Sequence, residues 1–203
     1  MEISNKRTAL EMWNEQFSQV KENGIQYFEQ DSWLKSYLPI LHERGFKKVL
    51  EIGCGSGNDT RFLDSNGFIV TATDFSEVAV SIIKNNIPSV QILHHDTQDK
   101  FPFEDDGFEF IVAGLSLHYF DKNLLNQILS EVRRMLCDKG LFLIRLNSVN
   151  DEDAQKEHVI DRYFYSVESC RELLKGWKEI ELGEYAIDYY GKNKIIIEGC
   201  FQK

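Results

Sequence analysis

The chain has little of what would set it apart from ordinary globular proteins. No apolar run approaches the roughly 20 residues that span a bilayer, and residues 1–7 lack the apolar core of a signal peptide. Only three prolines occur among 203 residues, and no stretch is repetitive or rich in proline and glycine. These absences argue against a membrane partner and a flexible linker, and they predict a cytoplasmic protein.

Cysteine is scarce and dispersed. The four cysteines (Cys54, Cys137, Cys170 and Cys200) form no CxxC pair, so the spacing offers neither a zinc knuckle nor a redox pair. We expect reduced thiols, mostly buried. His94 and His95 are adjacent but lack a third ligand at suitable spacing, and no metal site is predicted.

Basic residues are outnumbered by acidic ones, 23 to 33, which leaves a net charge of −10. Proteins bind nucleic acids largely by neutralising phosphates with lysine and arginine. The basic residues here make only short pairs, such as Lys47-Lys48 and Arg133-Arg134. The balance favours a small-molecule or protein substrate over a nucleic acid.

What the chain does contain is an alternation of two hydrophobic periodicities. Short apolar runs predict strands, and amphipathic stretches between them predict helices. The predicted strands are 48–52, 68–73, 90–93, 108–113 and 140–145, and the helices between them are 59–66, 76–85 (with Ser76 as N-cap) and 123–136. Strands alternating with helices indicate an α/β fold with a layered parallel sheet.

The two ends of the chain depart from that alternation. Two predicted helices, 6–20 and 32–44, precede the first strand. A helix at 167–174 is followed by strands at 177–185 and 194–201, with a turn at 188–193 between them. Two strands joined by a turn predict an antiparallel hairpin at the end of the parallel sheet.

A glycine loop, Glu51-Ile-Gly-Cys-Gly-Ser-Gly57, follows the first predicted strand. Glycines allow a tight turn and close approach of a ligand to the backbone. The dinucleotide fingerprint GxGxxG would require glycine where Asn58 stands, and the Gly-Lys-Ser/Thr ending of a P-loop is absent. The spacing here is ExGxGxG.

This loop resembles the first motif of the class I S-adenosylmethionine-dependent methyltransferases. Asp74 at the end of the second strand and Asp96 after the third stand where that family has acidic residues. Residues 108–120 resemble its fourth-strand motif, although Glu109 stands where aspartate is common. The likeness covers roughly residues 33–145, and the tail loosely resembles tellurite-resistance and thiopurine methyltransferases.

The resemblance implies a Rossmann-like, doubly wound, seven-stranded sheet, mostly parallel, with helices on both faces and the hairpin at its end. It implies a single domain over 1–203, with a helical cover (1–44), a cofactor-binding core (45–147) and a C-terminal helix and hairpin (148–203). S-adenosylmethionine is the implied cofactor, with Asp74 on the ribose hydroxyls and Asp96 on the adenine amino group. The implied cofactor-binding residues are Glu51, Gly53, Cys54, Gly55, Gly57, Asp74, Phe75, Asp96, Thr97, Gly114 and Leu115.

The acceptor side is predicted from the strand ends, because ligands of open α/β sheets bind there. His118, after the fourth strand, is the candidate base, since histidine titrates near neutrality. The candidate acceptor-binding residues are Tyr27, Trp33, Tyr119, Arg145 and Tyr163, with Phe28, Ser116, Asn147 and Tyr165 nearby in the sequence pattern.

Structural alternatives stay open for the polar candidates. Glu51 could be a plain strand-end acid, Asp74 a helix N-cap, and Asp96 a turn residue. His118 could equally be a structural histidine. A cofactor-binding module without catalysis, or an NAD(P)-dependent oxidoreductase on a similar sheet, remains the alternative function.

Overall fold

A computed structural model of the chain describes residues 8–25, 27, 32–189 and 191–203. Phe28, the first two residues of the predicted helix at 6–20, and Tyr190 in the predicted turn lie outside these ranges. The helices and strands alternate much as predicted. The helices are α1 (Ala9–Asn23), α2 (Leu38–Glu43), α3 (Asn58–Ser65), α4 (Glu77–Asn86), α5 (Lys122–Met135) and α6 (Val167–Leu173). The strands are β1 (Lys48–Ile52), β2 (Ile69–Asp74), β3 (Gln91–His94), β4 (Phe108–Gly114), β5 (Leu136–Asn147), β6 (Lys178–Tyr189) and β7 (Lys192–Gln202).

The strands form one seven-stranded sheet in the order β3-β2-β1-β4-β5-β7-β6. Strands β1 to β5 are parallel, and β7 pairs antiparallel with both β5 and β6. The strand order reverses between β1 and β4, which is the point where doubly wound sheets open a crevice at their carboxyl ends. The prediction of the fold class is confirmed.

Each face of the sheet carries its own hydrophobic core, because side chains alternate along a strand. Leu50 and Ile52 of β1 belong to a core shared with α5 and α6. Val49, which directly precedes Leu50, belongs to the opposite core, which includes residues of α2, α3 and α4. Helices therefore cover both faces. Within the described residues, no helix is both long and apolar enough to cross a membrane.

Two boundaries near the N-terminus differ from prediction for local reasons. Helix α1 begins at Ala9 because Thr8 and Glu11 form a capping box, in which each side chain accepts from the other's backbone N–H. The second predicted helix is divided. Residues 33–37 form a 3₁₀ helix capped by Ser32, and α2 follows with Pro39 in its first turn.

The C-terminal hairpin is longer than predicted and its turn is tighter. Strands β6 and β7 remain paired up to Tyr189 and Lys192, so the predicted turn at 188–193 is too wide. Gly191 takes a φ of +76°, and its N–H donates to Oδ1 of Asp188 at 2.7 Å. Glycine adopts this left-handed conformation without strain, which suits its place beside Lys192 at the start of β7.

Candidate active site

The glycine loop turns back onto the end of β2. The N–H groups of Gly53 and Cys54 both donate to the carbonyl of Thr73, at 2.9 and 3.0 Å. Gly53, Gly55 and Gly57 all have positive φ, between 53° and 92°. Residues with a side chain rarely adopt a positive φ, so the backbone conformation itself favours glycine at all three positions.

Close neighbours add a second requirement at two of these glycines. A Cβ on Gly53 would lie 2.5 Å from Cβ of Ser116, and one on Gly57 would lie 2.4 Å from Cδ1 of Ile83. The Ser116 hydroxyl donates to the carbonyl of Ile52 at 2.7 Å. The loop after β4 is thus fastened against the glycine loop, which brings the two sequence motifs together.

Asp74 lies at the carboxyl end of β2 and is only 5% exposed. Its Oδ2 accepts from the N–H of Gly55 at 2.8 Å, and its Oδ1 from the N–H of Ser76 at 2.9 Å. Burial raises the pKa of Asp74, and these hydrogen bonds oppose that rise. A carboxylate has about four lone-pair sites, so acceptor capacity remains for a ligand.

Ser76 is the N-cap of α4, as predicted, because its hydroxyl accepts from the N–H of Ala79 at 3.2 Å. Asp74 is therefore not needed for that cap. Its role on the ribose hydroxyls stays a prediction.

Glu51 is buried at the end of β1 and points away from bulk water. The Thr60 hydroxyl of α3 donates to its Oε2 at 2.6 Å. Burial, and then the negative charge of Asp59, raise the pKa of Glu51 well above its usual range. The side chain ties the glycine loop to the first turn of α3.

Asp59 is a contributor that the sequence did not reveal. The indole N–H of Trp33 donates to its Oδ2 at 2.8 Å. A Cβ on Gly114 would lie 2.8 Å from that same oxygen. Gly114 therefore leaves room for a hydrogen bond between the N-terminal cover and α3, and this explains a glycine that the motif alone only suggested.

The residues after Gly114 form a strained turn. Leu115 has a φ of +57°, and its N–H donates to the carbonyl of Arg145 at 3.0 Å. A non-glycine residue in the left-handed region is uncommon and is held by its surroundings. The turn directs residues 116–119 along the carboxyl edge of the sheet.

The third acidic candidate also caps a turn. Asp96 Oδ1 accepts from the N–H of Gln98 at 3.0 Å, and its carbonyl accepts from the N–H of Asp99. Asp96, Thr97 and Phe75 are all half-buried. The turn role of Asp96 does not exclude a contact with adenine, and that contact stays a prediction.

Helix α1 covers the glycine loop more closely than sequence patterns suggested. The ring of Phe17 would lie 3.3 Å from a Cβ on Gly55. The Ser76 hydroxyl donates to Oδ1 of Asn14 at 2.5 Å, and the Trp13 ring meets Tyr119 edge-on with centroids 5.9 Å apart. The i, i+4 spacing of Trp13 and Phe17 was the available signal for this face.

On the acceptor side, His118 is buried, at 3% exposure, and its Nδ1 has no hydrogen-bond partner. Its ring packs against Tyr119 with centroids 4.1 Å apart, and its carbonyl accepts from the N–H of Tyr163 at 2.7 Å. Burial, then the charges of Lys194 and Arg162, lower the pKa of His118 well below its usual range. The predicted residues His118, Tyr119 and Tyr163 therefore do come together.

Arg145 occupies a different setting. Its Nε donates to Oε2 of Glu198 at 2.7 Å, and the Tyr37 hydroxyl donates to Oε1 of the same carboxylate at 3.0 Å. The guanidinium lies 4.6 Å from the centre of the Trp33 ring. Arg145 and Trp33 are thus engaged in internal contacts, and their acceptor-binding role stays a prediction.

Tyr27, the remaining acceptor-side candidate, lies beside α3. Its ring centre is 5.8 Å from the guanidinium carbon of Arg61, and its hydroxyl is buried without a hydrogen-bond partner. Burial raises the pKa of Tyr27.

No group of three or more potential metal ligands occurs in the part of the chain that the structure describes. The His94 ring makes a 2.8 Å hydrogen bond with the carbonyl of Phe75, beside the cofactor residues. All four cysteines are free; three are buried and Cys137 is half-buried.

Known proteins with similar sequences include methyltransferases. Residues 49–140 match the family model of a methyltransferase domain. The demethylmenaquinone methyltransferase of Staphylococcus aureus is 32% identical over 127 residues, which cover 59% of this chain and 51% of that protein. The chain spans about half the length of the curated relatives it matches.

Over residues 49–140 the chain is similar to the class I S-adenosylmethionine-dependent methyltransferases. The predictions of this family and of its cofactor are confirmed.

Solved structures of such methyltransferases share the fold. A Burkholderia thailandensis 1,6-didemethyltoxoflavin N1-methyltransferase, solved with S-adenosylhomocysteine, superposes with a TM-score of 0.67 at 16% identity, covering 97% of this chain and 91% of that one. TehB from Haemophilus influenzae superposes with a TM-score of 0.68 at 17% identity, covering 94% and 67%. At these identities the likeness concerns the fold.

Proposed function

We propose that the protein transfers the methyl group of S-adenosylmethionine to a small-molecule acceptor bound at the carboxyl ends of β4 and β5. The observation that carries this is the buried, unpartnered Nδ1 of His118. It lies on the same short loop as Gly114 and Leu115, next to the glycine loop. The S. aureus and B. thailandensis relatives named above are methyltransferases of demethylmenaquinone and didemethyltoxoflavin, which are small acceptors.

The residues at the switch point fit the cofactor. Asp74 offers buried acceptor capacity for the ribose hydroxyls, and Asp96 and Phe75 lie beside it for the adenine. The Glu51–Gly57 loop would hold the methionine half, and Gly114 and Leu115 would close the other side. When bound, the cofactor supplies a methyl group on a sulfonium sulfur, which keeps the electron pair of the broken carbon–sulfur bond.

The residues of the chain have three tasks in this reaction. His118 stays neutral at physiological pH because its pKa is low, so Nδ1 is available to take the proton of the acceptor's nucleophile. Helix α1 excludes water from the glycine loop through Phe17. Tyr119 and Tyr163, with Tyr27 and Trp33 nearer to α3, are the proposed walls that orient the acceptor.

We also propose that the three segments of residues 1–203 work as one domain, because α1 contributes directly to the site. The acidic charge of −10 disfavours a nucleic acid as the acceptor. A small acceptor needs no further surface than the one between α1, residues 116–119 and residues 162–165.

Methyl transfer is tested with S-adenosylmethionine labelled in the methyl group and a panel of small aromatic alcohols, amines and thiols. Label should pass to at least one acceptor. His118→Gln should slow that transfer while the affinity for S-adenosylhomocysteine, measured by calorimetry, stays within about twofold of wild type. Lys84→Gln on α4, remote from the acceptor side, serves as the control for handling and folding.

Two results would contradict the proposal in different ways. Tight binding of S-adenosylhomocysteine with no transfer to any acceptor would favour a cofactor-binding module without catalysis. Binding of NADH without binding of S-adenosylhomocysteine would favour an oxidoreductase.

A further inference from the structure

Polar atoms without hydrogen-bond partners are concentrated where β4 and β5 end. They include Nδ1 of His118, both amide atoms of the Asn147 side chain, and Nε of Arg162. His118 is 3% exposed and Asn147 is 0% exposed. Buried polar groups in folded proteins are nearly always hydrogen-bonded, so a concentration of exceptions requires a specific reason. A ligand that supplies the missing partners is such a reason.

These side chains belong to one compact group. The segment 163–165 passes both strand ends, since the N–H of Tyr163 donates to the carbonyl of His118 and the N–H of Tyr165 to that of Asn147, at 2.7 and 2.9 Å. Positions two apart on an extended backbone are separated by about 7 Å. Arg162 immediately precedes this segment, and its guanidinium carbon lies 5.9 Å from the centre of the Tyr119 ring.

The group carries cationic charge that is incompletely matched. Arg162 and Lys194 approach Oδ2 of Asp153 only to 4.0 and 3.8 Å, which is longer than a hydrogen bond. Asp153 is itself bound by Lys156 at 2.9 Å. The side chains of Arg162 and Lys194 are 24% and 12% exposed, so water reaches them poorly.

We propose that Arg162, Lys194 and Asn147 bind an anionic group of the methyl acceptor, a carboxylate or a phosphate, and so determine its specificity. This inference rests on the proposed function, because the ligand is the acceptor of that same site. Arg162 Nε and Asn147 Nδ2 are donors suited to the oxygens of an anion. Asn147 Oδ1 and His118 Nδ1 are left to accept from a protic group on the same molecule.

The arrangement links recognition to proton transfer. Burial is the first cause of the lowered pKa of His118, and the charges of Lys194, Arg162 and His158 lower it further. An anion between these cations and His118 offsets their charge and raises the pKa of the imidazole. The acceptor would thus strengthen the base that deprotonates it, and an uncharged analogue would not.

The binding test uses three probes that share a phenyl ring: benzoate, its neutral isostere benzamide, and phenyl phosphate. Calorimetry is run with and without S-adenosylhomocysteine, so that a failure of cofactor binding is seen separately from a failure of anion binding. We expect at least one anion to bind the protein tenfold or more tightly than benzamide. Equal affinity for the anions and benzamide would overturn the proposal.

Substitutions locate the anion. Arg162→Gln and, independently, Lys194→Gln should weaken the better anion at least fivefold, whereas Arg162→Lys should retain most of the affinity. Arg171→Gln removes the same charge from α6, where Arg171 pairs with Glu179, and should leave binding unchanged. An effect of Arg171→Gln equal to that of Arg162→Gln would contradict a local site.

The cofactor's own carboxylate is the competing anion. If Arg162→Gln weakened S-adenosylhomocysteine and left benzoate and phenyl phosphate unaffected, the site would belong to the cofactor and the proposal would be wrong. Nuclear magnetic resonance of the His118 imidazole supplies a readout that a merely structural role of Arg162 would not give. The pKa of the His118 imidazole should rise when the better anion is added and stay unchanged with benzamide.

Discussion

The carboxyl edge of the sheet has two regions that differ in how their polar groups are satisfied. In the region proposed for the cofactor, which we call the cofactor region, Asp74, Glu51 and Ser116 each make internal hydrogen bonds that tie neighbouring segments together. In the region proposed for the acceptor, which we call the acceptor region, His118 and Asn147 are buried but have unpartnered side-chain atoms. The polar groups of the first region are satisfied by internal contacts, and the second region has polar capacity that internal contacts do not use.

This difference has a thermodynamic meaning. Satisfied buried groups contribute to stability, so removing one should cost folding free energy. Unsatisfied buried groups reduce stability, and proteins retain such groups mainly at functional sites. The two regions should therefore respond oppositely to substitution.

Substitution of Arg145 gives the largest expected effect on stability. It also tests to which of the two regions this residue belongs. Arg145→Gln leaves Glu198 buried without its cation, and we expect a loss of about 3–5 kcal/mol in the free energy of unfolding. Urea denaturation measures it. Arg145→Met combined with Glu198→Met and Tyr37→Phe removes the whole network and should recover most of the loss.

The same combined variant tests whether the acceptor needs Arg145. If it folds stably and retains methyl transfer, Arg145 is structural and the earlier assignment to the acceptor is wrong. Loss of transfer with unchanged affinity for S-adenosylhomocysteine would place Arg145 in the acceptor region instead.

Gly53 tests how rigidly the cofactor region is built. Gly53→Ala imposes left-handed strain of about 1–2 kcal/mol and a clash with Ser116 of about 1–3 kcal/mol more. Gly67→Ala is the matched control, because Gly67 has a φ of +80° with nothing within 4 Å of its Cβ position. The control should show the strain alone. Equal losses in the two variants, measured by urea denaturation, would show that the Ser116 contact yields freely.

Asp74 tests the ribose assignment within the same region. Asp74→Asn keeps the shape of the side chain but removes its charge and half of its acceptor capacity. We expect the binding free energy of S-adenosylhomocysteine to become less favourable by about 1–3 kcal/mol, as measured by calorimetry. Asp138→Asn, an exposed residue on β5, should change nothing. Unchanged affinity in Asp74→Asn would contradict the ribose role.

His118 gives the smallest expected effect and the one specific to the acceptor region. The pKa of His118 lies well below 6.5 in the folded protein, so below pH 6.5 the unfolded state binds more protons than the folded state. The free energy of unfolding therefore decreases as the pH is lowered. At one unit below 6.5 this loss reaches about 1.4 kcal/mol. Urea denaturation at pH 7.5 and 5.5 should show His118→Phe losing less than wild type.

A measurement above pH 7 is the internal control for His118. The imidazole is neutral in both states there, so the difference between His118→Phe and wild type should be constant from pH 7.5 to 8.5. Identical pH dependence of the two proteins down to pH 5.5 would show that the ring is not desolvated.

The sequence predicted the alternating strands and helices well because their signals are local. The runs at β1 and β4 alternate between two cores, and Ser76 begins α4 as its type and position indicated. The hairpin turn and the start of α1 were displaced by a few residues, since Gly191 and the Thr8–Glu11 box act through backbone geometry that composition does not show.

Within the site, local pattern identified Glu51, the three glycines and Asp74, because a ligand-binding turn between a strand and a helix has a fixed spacing. It did not identify Asp59, Phe17, Asn14 or Arg162. Those residues reach the site from other elements, through contacts between segments that are distant in the sequence, and of them only Phe17 had a local signal, its i, i+4 spacing with Trp13.

The sequence by itself predicted the likeness to the methyltransferase family, the methyl donor and the class of fold, because each depends on short stretches in which neighbouring residues act together. Only the tertiary structure decided what surrounds His118. It placed Arg162 and Lys194 near that ring, left the side-chain amide of Asn147 without hydrogen-bond partners, and paired Arg145 with Glu198, 53 residues away. Burial and pairing arise when distant segments pack. The sequence therefore predicted both Arg145 and His118 on the acceptor side, and only the fold showed that Arg145 is paired internally while Nδ1 of His118 is not.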